Sequence, residues 1–219
     1  MNLYVLVEGE AAEKRIYRAW LSHCLPGITE VPSVSAIAKD HFYLLAGNGY
    51  PSYMDRIPRA IDDIVGHGQI DHFLICVDAE DFTRNEKVAE IQTILDRCTY
   101  FRNTHIIVAD CCIETWLLGH ETIVRANPQN EALRAFKKHY DVRVYDPEEM
   151  PGTAEYQTRA QFHFEYLRAV FREQNLTYSK TRGGHWLEPG YYEALRTRWT
   201  KTRHIASFGH FASLMDQIA

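Results

Sequence analysis

Acidic side chains stand just beyond the ends of three apolar runs in this sequence. They are Glu8 after the first run, Asp78, Glu80 and Asp81 after the third, and Glu114 shortly after the fourth. Carboxylates gathered at one edge repel each other and raise each other's pKa unless a cation neutralises them. Mg²⁺, for which Mn²⁺ substitutes readily, is held by carboxylates, water and substrate phosphate, and it supports phosphoryl chemistry. For each residue taken alone, capping of the following helix is the structural alternative.

The apolar runs themselves predict β-strands. The runs are Leu3–Val7, Phe42–Ala46, Phe73–Val77 and His105–Ala109, and helical patterns follow the first three over residues 11–24, 54–65 and 85–100. Strands that are apolar throughout and alternate with helices indicate an α/β fold with a mainly parallel central sheet covered on both faces. Ligands bind at the carboxyl ends of such strands, so we expect the acidic residues to converge there.

The chain beyond residue 120 is predicted to be mostly helical. Helical patterns cover residues 130–140, 154–174 and 191–202, an edge strand is predicted over 142–145, and residues 146–152 are expected to form a loop. No linker divides the chain, so we expect one domain with a core over residues 1–120 and a C-terminal helical elaboration, residues 121–219, packed on it.

Four short segments resemble a known superfamily. Val7-Glu8-Gly9-Glu10 and Asp78-Ala79-Glu80-Asp81, each after an apolar strand, resemble the two signature elements of the TOPRIM superfamily. That superfamily includes topoisomerases, bacterial primases and OLD-type nucleases. Residues 112–120 are similar to the acidic and Trp-Leu-Leu segment of RloB-type and other small defence-associated proteins, and Tyr178-Ser179-Lys180 to a late Tyr-x-Lys element. The resemblance implies a TOPRIM-like, Rossmannoid core.

The resemblance also implies roles for individual residues. Glu8 would act as acid or base near the scissile phosphate, and Asp78 with Glu80 would bind Mg²⁺. The superfamily's second element is Asp-x-Asp, whereas Asp81 follows Glu80 here, so either residue is a candidate for the second ligand. Glu114 is a further candidate metal ligand. The implied activity is metal-dependent cleavage of DNA or RNA, in bacterial or phage defence.

Two other functions compete with a nuclease. The chain contains no ATPase motif, which suits a non-catalytic metal- or nucleotide-binding regulatory subunit of a defence complex with a separate ATPase partner. An α/β phosphatase that uses Asp78 as nucleophile is the second competitor, although the residues expected to follow that nucleophile are missing.

A basic segment supplies candidates for contacting nucleic acid. Residues 159–203 contain nine Lys or Arg against four Glu, enough to neutralise part of a phosphate backbone. Lys180 is the principal candidate for phosphate, and Arg182, Lys201 and His204 are expected to bind the nucleic acid. Tyr178, Trp186, Tyr191 and Tyr192 are candidates for stacking on bases. An ordinary solvated helical surface is the structural alternative.

Composition restricts the remaining possibilities. The net charge of -5 argues against a basic coat for wrapping duplex DNA. Five cysteines without Cys-x-x-Cys spacing suggest reduced, mostly buried thiols rather than a disulfide framework or a zinc ribbon, and the histidines lack zinc-protease spacing. With no leader-like N-terminus and no apolar stretch of bilayer length, we expect a cytoplasmic protein.

Overall fold

Five strands form one parallel sheet in the order β2-β3-β1-β4-β5 in the computed structural model, which describes residues 1–219. The strands are β1 (Leu3–Val7), β2 (Thr29–Val31), β3 (His41–Ala46), β4 (His72–Asp78) and β5 (Thr104–Ala109). Every residue of the central strand β1 is buried, as expected for a strand covered on both faces. The predicted α/β fold with a parallel sheet flanked by helices is therefore confirmed.

Eight α-helices accompany the sheet. They are α1 (Ala12–Cys24), α2 (Arg56–His67), α3 (Arg84–Leu95), α4 (Ile113–Leu118), α5 (Glu131–His139), α6 (Arg159–Glu173), α7 (Pro189–Thr202) and α8 (Ala206–Ile218). Helix α1 buries Ile16, Trp20 and Leu21 along one stripe, and α2 is capped by Gly68, which adopts φ 71° in the left-handed region that favours glycine. None of the helices is both long and apolar enough to cross a membrane.

The chain divides into two compact units. The first comprises residues 1–77, 84–108 and 215–219, and therefore holds most of the sheet with α1, α2 and α3. The second comprises residues 78–83 and 109–214, and holds α4 to α7 with most of α8. We predicted from the sequence that residues 109–120 belong to the core over residues 1–120. They instead belong to the second unit, where α4 packs against α6.

The order of the strands reverses beside β1. Val7, the last residue of β1, pairs with Ala46 of β3 on one side and with Cys76 of β4 on the other. The chain runs from β1 to β2 and β3, and then returns to β4 and β5, so the carboxyl ends of β1 and β4 form the topological switch point of the sheet. Crevices at such points are the usual ligand sites of open α/β sheets.

Several segments differ from the sequence-based prediction. The prediction of an edge strand over residues 142–145 is wrong. These residues form a turn, in which the backbone N–H groups of Val144 and Tyr145 both donate to Asp141 O. The helix expected from residue 154 begins only at Arg159, after the Thr158 side chain accepts a hydrogen bond from Gln161 N. Helix α8 was not predicted.

Candidate functional site

A buried carboxylate in the second unit holds two polar groups from a distant loop. Glu114, in the first turn of α4, is 1% exposed. The Tyr178 hydroxyl donates to Glu114 Oε1 over 3.0 Å, and Lys180 Nζ lies 3.3 Å from the same oxygen. A carboxylate removed from water needs such partners, since an unpaired buried charge is strongly unfavourable. The structure thus brings together the predicted residues Glu114 and Lys180.

Local sequence explains how this cluster is held. Helix α4 begins after Cys112, whose backbone N–H donates to Thr115 Oγ1 over 3.3 Å, and an acidic residue in the first turn suits the helix dipole. Tyr178 follows α6 and is 3% exposed. Its ring centroid lies 4.7 Å from that of Trp186 and 5.9 Å from that of Phe171, so aromatic packing fixes the hydroxyl toward α4.

Asp78 is the last residue of β4 and begins the second unit's acidic turn. It is 9% exposed, whereas Glu80 and Asp81 are exposed. Ala79 N donates to Ala109 O over 2.9 Å and Glu80 N to Cys111 O over 2.7 Å, and Glu80 adopts φ 53°. The turn therefore holds one carboxylate inward and presents two to solvent.

The Cys112 thiol links Asp78 electrostatically with Glu114. Burial raises the pKa of Cys112, and the negative charges of Glu114 and Asp78 raise it further. Both carboxylates consequently act on the same buried thiol. We call Asp78 and Glu114 of the second unit the acidic centre, in which Lys180 is the counter-charge of Glu114.

Glu8 belongs to the first unit. It directly follows β1 and is 7% exposed. Its backbone N–H donates to Cys76 O over 3.0 Å, and its carbonyl accepts from Gly49 N over 2.9 Å. These bonds tie the backbone of Glu8 to the end of β4 and to the loop that follows β3.

The proposed nucleic-acid contacts have different environments. Arg182, in the loop before α7, and Lys201, in the last turn of α7, are exposed. His204 is half-buried, and its Nδ1 lies 3.1 Å from a guanidinium nitrogen of Arg198. Arg182 and Lys201 are therefore accessible to a ligand, whereas His204 interacts with the protein's own interior.

Two arginines of the basic segment, Arg198 and Arg159, are bonded to other groups of the second unit. Arg198 is 2% exposed and donates to the carbonyls of Gly119 and Tyr145 over 3.1 and 2.8 Å, and burial lowers its pKa. Arg159 donates to Met150 O over 2.9 Å and forms an ion pair with Asp110. The sequence count of nine cations therefore overstates the charge available to a phosphate backbone.

The aromatic residues predicted to stack on bases are not accessible. Tyr178, Trp186, Tyr191 and Tyr192 are between 0% and 4% exposed. Tyr191 donates its hydroxyl to Leu117 O over 2.7 Å, and Tyr178 donates to Glu114. The stacking prediction is therefore wrong, because these rings form the core of the second unit.

Sequence reasoning also missed a perturbed carboxyl group. Glu148 accepts hydrogen bonds from the backbone N–H and the hydroxyl of Ser207, and Ser207 in turn accepts from Trp116 Nε1 over 2.6 Å. Burial raises the pKa of Glu148 to about 7, although the Ser207 hydrogen bonds oppose the shift. Nothing in the acidic segment 146–149 indicated that one of its members is withdrawn from water.

Comparison with protein-family models, curated proteins and solved structures found no match. The chemistry of the acidic centre is therefore the main guide to function. Buried carboxylates beside an exposed acidic turn offer oxygen ligands to a hard cation, and Lys180 offers a positive charge to an anion.

Proposed function

We propose that the protein is a metal-dependent nuclease of TOPRIM type that hydrolyses phosphodiester bonds in DNA or RNA. The observation that carries this proposal is the buried Glu114 carboxylate with Lys180 and Tyr178 at its Oε1, in the same compact unit as Asp78 and its exposed acidic turn. Carboxylates with an adjacent cation suit the binding of a divalent ion together with an anionic substrate.

Carboxylate oxygens are the ligands that Mg²⁺ and Mn²⁺ prefer. Asp78 and Glu114 would supply them from the interior of the second unit, and Glu80 or Asp81 would supply one from the exposed turn. Glu114 engages Tyr178 and Lys180 through Oε1, so its other oxygen is the one that would be left to hold the ion. When bound, the ion would polarise the phosphate and lower the pKa of a coordinated water.

Lys180 is the proposed phosphate contact. Its side chain is 45% exposed and its ammonium group is paired with Glu114, so we place the substrate phosphate on the exposed side of this pair. Tyr178 would act as a positioning residue that holds Glu114 while the charges rearrange. Arg182 and Lys201, which are exposed, would contact the backbone of the nucleic acid.

Glu8 is proposed to transfer the proton. This role rests on the resemblance of residues 7–10 to the first TOPRIM element and on the position of Glu8 directly after β1. A carboxylate so placed acts as acid or base when it reaches the attacking water or the leaving oxygen.

The decisive experiment incubates the purified chain with single- and double-stranded DNA and with RNA, in the presence of Mg²⁺, Mn²⁺ or a chelator. We expect metal-dependent cleavage that falls at least about 100-fold in Asp78→Asn and in Glu8→Gln. Asp62→Asn, an exposed carboxylate on α2, is the matched control and should leave the rate unchanged. Cleavage that persists in both variants would refute the assignment.

One result would favour the regulatory alternative. A module that binds a cation without chemistry would use the same carboxylates, Asp78 with Glu80 or Asp81. Binding of Mn²⁺ that depends on Asp78, without cleavage of any nucleic acid, would replace the nuclease with that module. Co-purification with an ATPase would support it further.

A further inference from the structure

Two consecutive cysteines and a distant histidine converge inside the second unit. Cys111 Sγ, Cys112 Sγ and a ring nitrogen of His163 all lie within 4.8 Å of one another. The three residues are 0%, 2% and 0% exposed. We call this group the thiol–imidazole cluster.

The backbone takes an unusual path to bring the two thiols together. Consecutive side chains of an extended chain point to opposite faces, so neighbouring Sγ atoms normally diverge. Cys111 instead adopts φ 56°, in the left-handed region that L-residues rarely occupy, and Cys112 returns to φ -156°. Unfavourable backbone conformations of this kind occur preferentially at functional sites.

The imidazole of His163 is oriented as in metal-binding histidines. Its Nε2 lies 3.2 Å from Met150 O, and because a carbonyl only accepts, Nε2 must carry the proton. Nδ1 is then the acceptor, and the Thr115 hydroxyl donates to it over 2.7 Å, so a metal at Nδ1 would replace this hydroxyl proton. A ring nitrogen that donates to a backbone carbonyl, while the other faces a metal, is the usual outer-shell arrangement.

A thiolate is the form of cysteine that binds metals, so a bound cation would displace the thiol protons of Cys111 and Cys112.

We propose that Cys111, Cys112 and His163 bind one thiophilic divalent cation, for which Zn²⁺ is the natural choice, at a site distinct from the all-oxygen site proposed above. Sulfur and imidazole nitrogen are zinc ligands and poor ligands for Mg²⁺. With Zn–S near 2.3 Å and Zn–N near 2.0 Å, tetrahedral ligand atoms lie roughly 3.5–3.8 Å apart. Starting from separations of no more than 4.8 Å, the cluster needs to contract by about 1.3 Å at most.

The site would join two helices. Cys112 immediately precedes α4 and His163 lies on α6, so a bound ion would fasten the start of the helix that carries Glu114 to its packing partner. Thr115 Oγ1, 2.7 Å from His163 Nδ1 and 3.5 Å from Cys112 Sγ, is an oxygen within reach of the fourth position. Water would be the other occupant.

Cobalt spectroscopy tests the proposal without reference to cleavage. The full chain is reduced, stripped with a chelator and titrated with Co²⁺, which reports thiolate ligands by charge-transfer absorption. We expect one equivalent to bind with such a band, and Zn²⁺ to bleach it. Cys112→Ser should abolish the band, and His163→Gln should weaken binding at least about tenfold. Cys24→Ser and Cys98→Ser, at partly exposed cysteines outside the cluster, should leave it unchanged.

A second measurement uses only the unmodified protein, since a cluster variant could fail to fold. Zn²⁺ should slow alkylation of Cys111 and Cys112 relative to Cys24, as read by mass spectrometry of peptides. The proposal is overturned if the reduced protein gives no thiolate-to-cobalt band, or if the band survives in Cys111→Ser/Cys112→Ser. Isolation of the chain with a Cys111–Cys112 disulfide that resists reduction would overturn it too.

Discussion

Lys180 Nζ lies 3.3 Å from Glu114 Oε1, and the two partners differ sharply in their exposure to solvent. The side chain of Lys180 is 45% exposed, whereas that of Glu114 is 1% exposed. The carboxylate has therefore given up far more hydration than the ammonium group. Loss of Lys180 should therefore destabilise the protein more than loss of Glu114. Only loss of Lys180 leaves a buried charge, Glu114, without its counter-ion.

This asymmetry predicts the order of stabilities in a double-mutant cycle. Lys180→Met should lower the free energy of unfolding by about 1–2 kcal/mol, because the buried carboxylate keeps only Tyr178 as a strong partner. Glu114→Gln should cost less, since a neutral amide still accepts from Tyr178. The double variant should therefore be more stable than Lys180→Met alone.

Urea unfolding of the four proteins measures this coupling. Lys39→Met is the control, because the Lys39 side chain is 89% exposed and its loss should change the stability by less than about 0.5 kcal/mol. Strictly additive costs for Lys180→Met and Glu114→Gln would show that the two side chains are not paired in solution.

Tyr178→Phe separates the hydroxyl from the ring. The ring would still pack against Phe171 and Trp186, whereas the hydrogen bond to Glu114 would be lost. Hydrogen bonds to a charged group contribute about 1.5–3 kcal/mol, so we expect a destabilisation in that range by thermal or urea unfolding. Tyr100→Phe, at a tyrosine that is 82% exposed, should be neutral. Equal stabilities of the two variants would contradict the buried hydrogen bond.

Glu148 should make stability decline with rising pH. Its pKa is raised from 4.5 to about 7, so the folded protein keeps this proton over a range in which the unfolded chain has lost it. Stabilisation from this group is therefore fully present below pH 4.5 and disappears as the pH rises through 7, with a total change of at most about 3 kcal/mol.

The pH dependence of urea midpoints between pH 5 and 8 tests this effect. Glu148→Gln should flatten the decline, because the amide stays neutral throughout the range. Glu149→Gln, an exposed neighbour, should leave the decline unchanged. A wild-type profile that is already flat, or a slope that survives Glu148→Gln, would assign the proton to another group.

The fold was predictable where the apolar pattern was long and regular. Strand β1 is buried along its whole length, and its continuous apolar run identified it. Strand β2 comprises only Thr29–Val31 and is partly exposed. It has no such apolar run and was therefore not predicted. Helix α8 carried a usable signal, since Phe208, Phe211 and Met215 recur at helical spacing and are buried.

The candidate site was less predictable, because its partners meet only through tertiary structure. Tyr178 and Glu114 are 64 residues apart, and no local spacing relates them. The same limitation concealed His163, which joins two cysteines whose own spacing had argued against a zinc ribbon. Aromatic residues were misassigned to a surface because a tyrosine or tryptophan suits a buried core as well as a binding face.

The choice between Glu80 and Asp81 as a metal ligand can be decided by measurement of Mn²⁺ affinity. Both side chains are exposed on the turn after Asp78, but Glu80 occupies the third position of the Asp-x-Asp-like element and has φ 53°. We therefore expect Glu80→Gln to weaken Mn²⁺ binding about 10- to 100-fold and Asp81→Asn to change it less than about threefold. Mn²⁺ titrations of the two variants beside Asp62→Asn give this comparison directly. The reverse order would assign the ligand to Asp81, and equal small effects would leave Asp78 and Glu114 as the carboxylates that hold the ion.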